Sequence, residues 1–180
     1  VLERLTGPVE VILFILAAVL GAYTGFLLSA LISYPMLNNP VLPALFLASG
    51  TSSGIAATFL FILIAGKLKG DSHESHFIHK FEVPIMVTEL GLLVCFFVGL
   101  YFGGGQKVVA LQNALSGFWG AVFWIGVFLI GILSPLLANL AVKDNLKYNK
   151  NFIILVSIFD LIGVLCLRYF ILYAGQLTVA

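Results

Sequence analysis

Charge is scarce in this sequence. Lys, Arg, Asp and Glu make up 9% of its 180 residues, against 61% for hydrophobic types. A soluble domain carries about 25% charged and roughly 45–50% apolar residues. The shortage excludes an ordinary soluble fold with a large core, and the mean hydropathy of +1.13 is that of an integral membrane protein. It also excludes nucleic acid as a partner, because the net charge is +1 and no basic run carries interleaved aromatics. Cysteine is nearly absent. Cys95 and Cys166 are the only two, so four-cysteine iron–sulfur ligation is impossible within the chain. Each lies in an apolar stretch and reads as a small hydrophobe. Histidine is confined to His73, His76 and His79 in one polar stretch, HESHFIH. A haem held by two intramembrane histidines is therefore excluded, and the stretch reads as a solvated connector. With no haem and no metal expected in this chain, a redox role must use a diffusible cofactor or a partner's metals. The opening VLERLTGPVE is too polar for a cleaved signal peptide. It starts at Val1 rather than Met, as a fragment would.

What the sequence does have is long apolar runs. A helical span needs about 20 mostly apolar residues. Five segments qualify, near 9–33, 41–66, 83–102, 117–142 and 152–177. They are too long and too uniformly apolar for the alternating strands of a barrel. The expected fold is all-α: one integral membrane domain over 1–180, a polytopic helix bundle in a lipid bilayer. The connections differ in charge. One side carries Arg4, Lys67, Lys69, Lys80, Lys143, Lys147 and Lys150, and the other carries only Lys107. The positive-inside rule makes the first side cytoplasmic. The amino-terminal end of this chain then faces the cytoplasm and the carboxy terminus faces out. No internal repeat or low-complexity tract is evident.

Four constellations bear on function. In GAYTGFLLSA, Gly21 and Gly25 form a small-xxx-small pair suited to close helix approach. Tyr23 and Thr24 lie between them, roughly 15 Å below the outer end, too deep for an interfacial aromatic belt. Their hydroxyls either bond neighbouring backbone or, for Tyr23, donate to a carbonyl of a lipid-soluble ligand. In PMLNNPVLPALFLASGTSSGIAAT, Pro35 and Pro40 stiffen an outer turn. Asn38 and Asn39 either bond the groups the prolines free or face a partner protein. The SGTSSG run within the following span is explained by close helix packing. Pro135, in GILSPLLAN, is placed to break the fourth span.

The remaining constellation is the intramembrane charge. Glu82 stands at the cytoplasmic mouth of the third span, and Glu89 about 10 Å deeper. Asp160 and Arg168 both lie within the fifth, eight residues apart, about 12 Å along a helix. That is too far for a simple contact pair, so each needs a partner on another helix or a water. Glu89 and Asp160 lie at similar depth, placed to share a proton or a cation. Intramembrane charges are expensive and commonly mark proton relays. The structural alternative is a network that fixes helix register.

The ordered set YTGFLLSA, LPALFLASGTSSGIA, HKFEVPIMVTELGLL and LRYFILYAGQ resembles the polysulfide reductase membrane-subunit (NrfD-like) family over nearly the whole chain. The resemblance implies the last five of about eight spans. It implies a subunit, not catalytic alone, that exchanges electrons between the quinone pool and an iron–sulfur partner, and through it a catalytic subunit, in the bacterial inner membrane. Quinone, of the menaquinone type, is the implied cofactor, with Tyr23 and Thr24 at the position that meets its head group. The acidic pair of the family's fifth span maps onto Glu82 and Glu89, with Glu82 where Asp is expected. The expected proton path is Glu82, Glu89, Asp160 and Arg168, and the expected partner interface is Pro35, Asn38 and Asn39. The competing function is a secondary transporter or proton-conducting protein using Glu89, Asp160 and Arg168. A pure anchor would not need those charges.

Overall fold

The computed structural model describes residues 2–64, 73–141 and 150–179. Among them there are helices and turns and no strand. In order they are α1 (Leu2–Ser29), α2 (Leu42–Ile64), α3 (His73–Phe102), α4 (Gln106–Leu115), α5 (Gly117–Ala121), a π-helical segment (Val122–Leu133), α6 (Ser134–Ala141) and α7 (Lys150–Ala174). Five stretches are long and apolar enough to cross a membrane: Gly7–Ser29, Leu42–Ile64, Val83–Phe102, Gly117–Ala138 and Asn151–Ala174. Helices are the outcome lipid allows, since each satisfies its own backbone without water. The chain is thus an all-α polytopic bundle. α2 is its hub, packing on α1, α3 and α7, while α7 also lies along the π-helical segment.

The first span ends sooner than its apolar run. α1 stops at Ser29, and further on Tyr34, which precedes Pro35, is steered away from helix. The chain then folds back, and Met36 and Leu37 become fully buried. Residues 73–80, expected as connector, instead form the first turns of α3. The outer stretch GGGQK also departs from a plain loop. Gly104 and Gly105 take positive φ angles of 64° and 52°, which glycine adopts without a steric penalty. They open α4, whose buried face is Ala110 and Ala114.

The fourth span does not break at Pro135. Its turns widen instead: the Ser134 N–H bonds the Leu129 carbonyl, five residues back. Pro135, which cannot donate an N–H, sits at the opening of α6, where a missing donor does least harm. Widening also changes which residues share a face. Gly126 and Gly131 both meet α7: a Cβ on Gly126 would lie 2.9 Å from the Cys166 sulfur, and one on Gly131 would lie 2.5 Å from the Gly163 Cα. On a 3.6-residue period, residues five apart point to different faces; on a five-residue turn they align.

Apolar packing is divided into two parts. The larger cluster unites Met36, Leu45, Phe46, Phe96, Phe123 and Phe170 with their neighbours, toward the end that carries the 30–41 turn. A smaller one joins Phe59, Leu63 and Ile153 toward the opposite end. Between them, at mid-helix, α2, α3 and α7 place the buried polar residues Ser49, Ser52, Glu89, Ser157 and Asp160.

Candidate functional site

The polar layer follows from periodicity on α2. Leu45, Ser49, Ser52, Ala56, Phe59 and Leu63 recur at three- and four-residue spacing and are all buried. Ser49 and Ser52 thereby sit on the stripe that faces the bundle interior. On α7 the equivalent stripe brings Ile153, Ser157, Asp160, Val164 and Leu167 inward. The two helices run antiparallel: Asp160 meets Ser52, while Arg168, further toward the turn end, meets Phe46 and Gly50.

Asp160 is 3% exposed. The Ser52 hydroxyl donates to both its oxygens, at 2.9 Å to Oδ1 and 3.1 Å to Oδ2. Glu89, on α3, is 4% exposed and interacts electrostatically with both Asp160 and Arg168. Three helices therefore bring two carboxyl groups and a guanidinium within mutual influence, inside a span region where isolated charges are costly. The Arg168 guanidinium carbon lies 5.2 Å from the Phe46 ring centroid, within cation–π range. Its Nε is buried and meets no hydrogen-bond partner among the described residues. Arg168 is always protonated, so it is a fixed positive charge at the turn-side edge of the layer.

The other expected site residues are distributed. The side chains of Glu82 and the three histidines lie outside the described residues. Gly21 and Gly25 do bring α1 onto α2: a Cβ on Gly25 would lie 2.5 Å from the Pro43 Cα. Tyr23, between them in sequence, points elsewhere and is 53% exposed, as is most of Thr24. They stand among Leu20, Phe26 and Leu27, also exposed, so α1 offers one apolar wall with two hydroxyls on it. That chemistry fits the carbonyl and ring of a quinone, from one side.

Within the 30–41 turn, Asn39 is not at the surface. It is 3% exposed; its amide donates to the Phe96 carbonyl at 3.1 Å, and its carbonyl accepts from the Val41 N–H at 3.0 Å. Pro35 is also buried. Both were expected at a partner interface; in the bundle Asn39 ties the turn to α3, and Pro35 is buried close by in the same turn. Asn38 is half-buried and its carbonyl accepts from the Lys107 ammonium at 3.1 Å. The carboxy-terminal tail closes the same end, with Asn113 donating to the Thr178 hydroxyl at 3.2 Å.

Ser52 was hidden in the sequence by an adequate packing explanation for SGTSSG. The signal that finds it is its place on the inward stripe. Among the described residues, no group of three His, Cys, Asp or Glu is arranged to hold a metal ion.

Comparison with known proteins adds to this geometry. The model of the family described as "Polysulphide reductase, NrfD" matches residues 1–180. The "Protein NrfD homolog" of Haemophilus influenzae is 88% identical over 99% of this chain and 56% of that protein. "Protein NrfD" of Escherichia coli is 49% identical over 95% of this chain and 54% of that protein. The polysulfide reductase polypeptide C of Wolinella succinogenes is 42% identical over 94% of this chain and 54% of that protein. The chain spans about half the length of these curated relatives. No solved structure matches it significantly.

Proposed function

The chain belongs to the NrfD polysulphide reductase family, and on that premise we propose that it forms part of the membrane subunit of a reductase complex, one that exchanges electrons between quinone and an iron–sulfur partner. The single observation that carries this is the buried layer of Glu89, Asp160 and Ser52, edged by Arg168. A passive anchor has no use for two carboxyl groups at mid-span. A subunit that reacts with quinol has one, because oxidising a quinol to a quinone releases two electrons and two protons. Bound quinone supplies the two-electron redox chemistry. The chain's own residues bind it and handle protons.

Tyr23 and Thr24 would hold the quinone head group from α1, their hydroxyls offering hydrogen bonds beside the apolar Leu20, Phe26 and Leu27. Glu89 takes and releases protons in the layer, with Glu82 at its mouth. Asp160 holds a steady position against Ser52, and Arg168 orients water and balances the acids' charge. Electrons leave to an iron–sulfur subunit docked on the turn end, where Asn38 and Pro40 are reachable. By the charge asymmetry, that end lies outside the cytoplasmic membrane of a bacterium. Menaquinone is the quinone type proposed.

The test is purification of the full-length protein in its complex, followed by solvent extraction of quinone and electron paramagnetic resonance of the co-purifying subunits. Quinone near one equivalent and an iron–sulfur signal are expected. A complex with neither would overturn the assignment.

A further inference from the structure

Five hydroxyl side chains crowd the middle of α2, and four bond their own helix. Ser49 donates to the Phe46 carbonyl at 3.2 Å, Thr51 to Ala48 at 2.7 Å, Ser53 to Gly50 at 3.1 Å and Thr58 to Gly54 at 2.7 Å. This back-bonding is the ordinary way a hydroxyl is satisfied within a helix. Ser52 differs. It is 4% exposed, and its hydroxyl is within hydrogen-bond distance of both oxygens of Asp160, 108 residues away in sequence.

A hydroxyl within hydrogen-bond range of both carboxylate oxygens ties the Asp160 carboxylate to α2. It occupies the near edge and leaves the outer lone pairs for other donors. Next to this pair on α2, Gly50 and Phe46 meet Arg168: a Cβ on Gly50 would be in ordinary contact with an Arg168 nitrogen, at 3.6 Å. The neighbouring charges are Glu89 from α3 and Arg168 from α7 itself.

We infer that Ser52 is a positioning residue for proton transfer: it holds the Asp160 carboxylate against α2, within the field of Glu89 and Arg168. It is buried within the bundle and acts through Asp160. The inference rests on the proposed proton role of the layer, and the experiment separates the two.

Ser52→Ala, Ser52→Cys, Ser52→Thr and Asp160→Asn are made in the full-length protein, purified in its complex and assayed for quinol-driven turnover in light and heavy water. Ser52→Ala lowers kcat about tenfold, the scale of losing one hydrogen bond to a charged group, with KM for quinol unchanged. The solvent isotope effect rises, because proton transfer becomes the slow step. Ser52→Thr keeps the hydroxyl and restores the rate. Ser52→Cys, with a similar shape and a weak donor, shows the loss even if the alanine variant fails to assemble. Wild-type kcat and isotope effect in assembled Ser52→Ala or Ser52→Cys complexes, with Asp160→Asn impaired, would overturn the role of Ser52 alone. Wild-type behaviour in Asp160→Asn as well would remove both Asp160 and Ser52 from proton transfer, while normal proton-coupled turnover in an assembled Glu89→Gln complex would overturn the proton role of the layer itself.

Discussion

Asp160 is 3% exposed and held by a hydroxyl from a neighbouring helix, whereas Tyr23 is 53% exposed on an apolar wall made by α1. Both are polar groups within membrane spans, Asp160 near mid-helix and Tyr23 about 9 Å from the Ser29 end of α1. On the proposed function the two would serve different tasks. A site for a lipid-soluble molecule needs an accessible face, and Tyr23 stands on one. A site for protons must be closed to lipid and supplied by several helices, since an unpaired charge in hydrocarbon is expensive. The closed site here is built by helix approach: Gly131 against Gly163 sets α7 along the π-helical segment, and Gly50 and Phe46 of α2 meet Arg168 of α7.

The comparison breaks most severely at the glycine crossing. A Cβ on Gly163 would lie 2.0 Å from the Gly131 Cα, and backbone cannot yield as a side-chain tip does. Gly163→Val is expected to cost about 3 kcal/mol or more. It should remove the assembled protein from the membrane while transcript levels hold, as an immunoblot of membrane fractions would show. Normal accumulation would mean that the crossing is looser than described.

A smaller effect separates fastening from docking. Asn39→Ala removes the bonds to Phe96 and Val41 and leaves the Val41 N–H without that acceptor, a loss of about 1–3 kcal/mol. Thermal stability in detergent should fall, with partner affinity unchanged once the protein is folded. Lost partner binding at unchanged stability would return Asn39 to the interface.

The smallest effect belongs to the open site. Tyr23→Phe deletes one hydrogen bond of about 0.5–1.5 kcal/mol from an exposed side chain. Quinol turnover should weaken several-fold at unchanged thermal stability. Identical quinol kinetics and inhibitor binding would remove Tyr23 from the site.

The spans were legible because about 20 apolar residues in a row have few other solutions. Glu89, Asp160 and Arg168 were legible as charges where charge is costly. What the sequence concealed depended on winding and rotation. A 3.6-residue period does not anticipate that Gly126 and Gly131 share a face, so the π-helical segment went unseen and Pro135 read as a break. Ser52 looked like its four hydroxyl neighbours, because back-bonding and cross-helix bonding use the same residue types. Asn39 looked like a surface residue because turns usually are surface, yet Met36 and Leu37 beside it are buried. The outward rotation of Tyr23 needed the contact between Gly25 and Pro43 to become visible.

The central claim is that the buried layer moves protons and does more than lock helices. Glu89→Gln preserves shape and hydrogen-bonding capacity while removing the ionisable group. In the full-length complex, reconstituted into vesicles with a pH-sensitive dye, the expected result is a stably assembled protein that still binds quinone but loses proton-coupled turnover. Normal proton-coupled turnover in a stably assembled Glu89→Gln complex would contradict the account, and so would a variant whose only defect is failure to assemble.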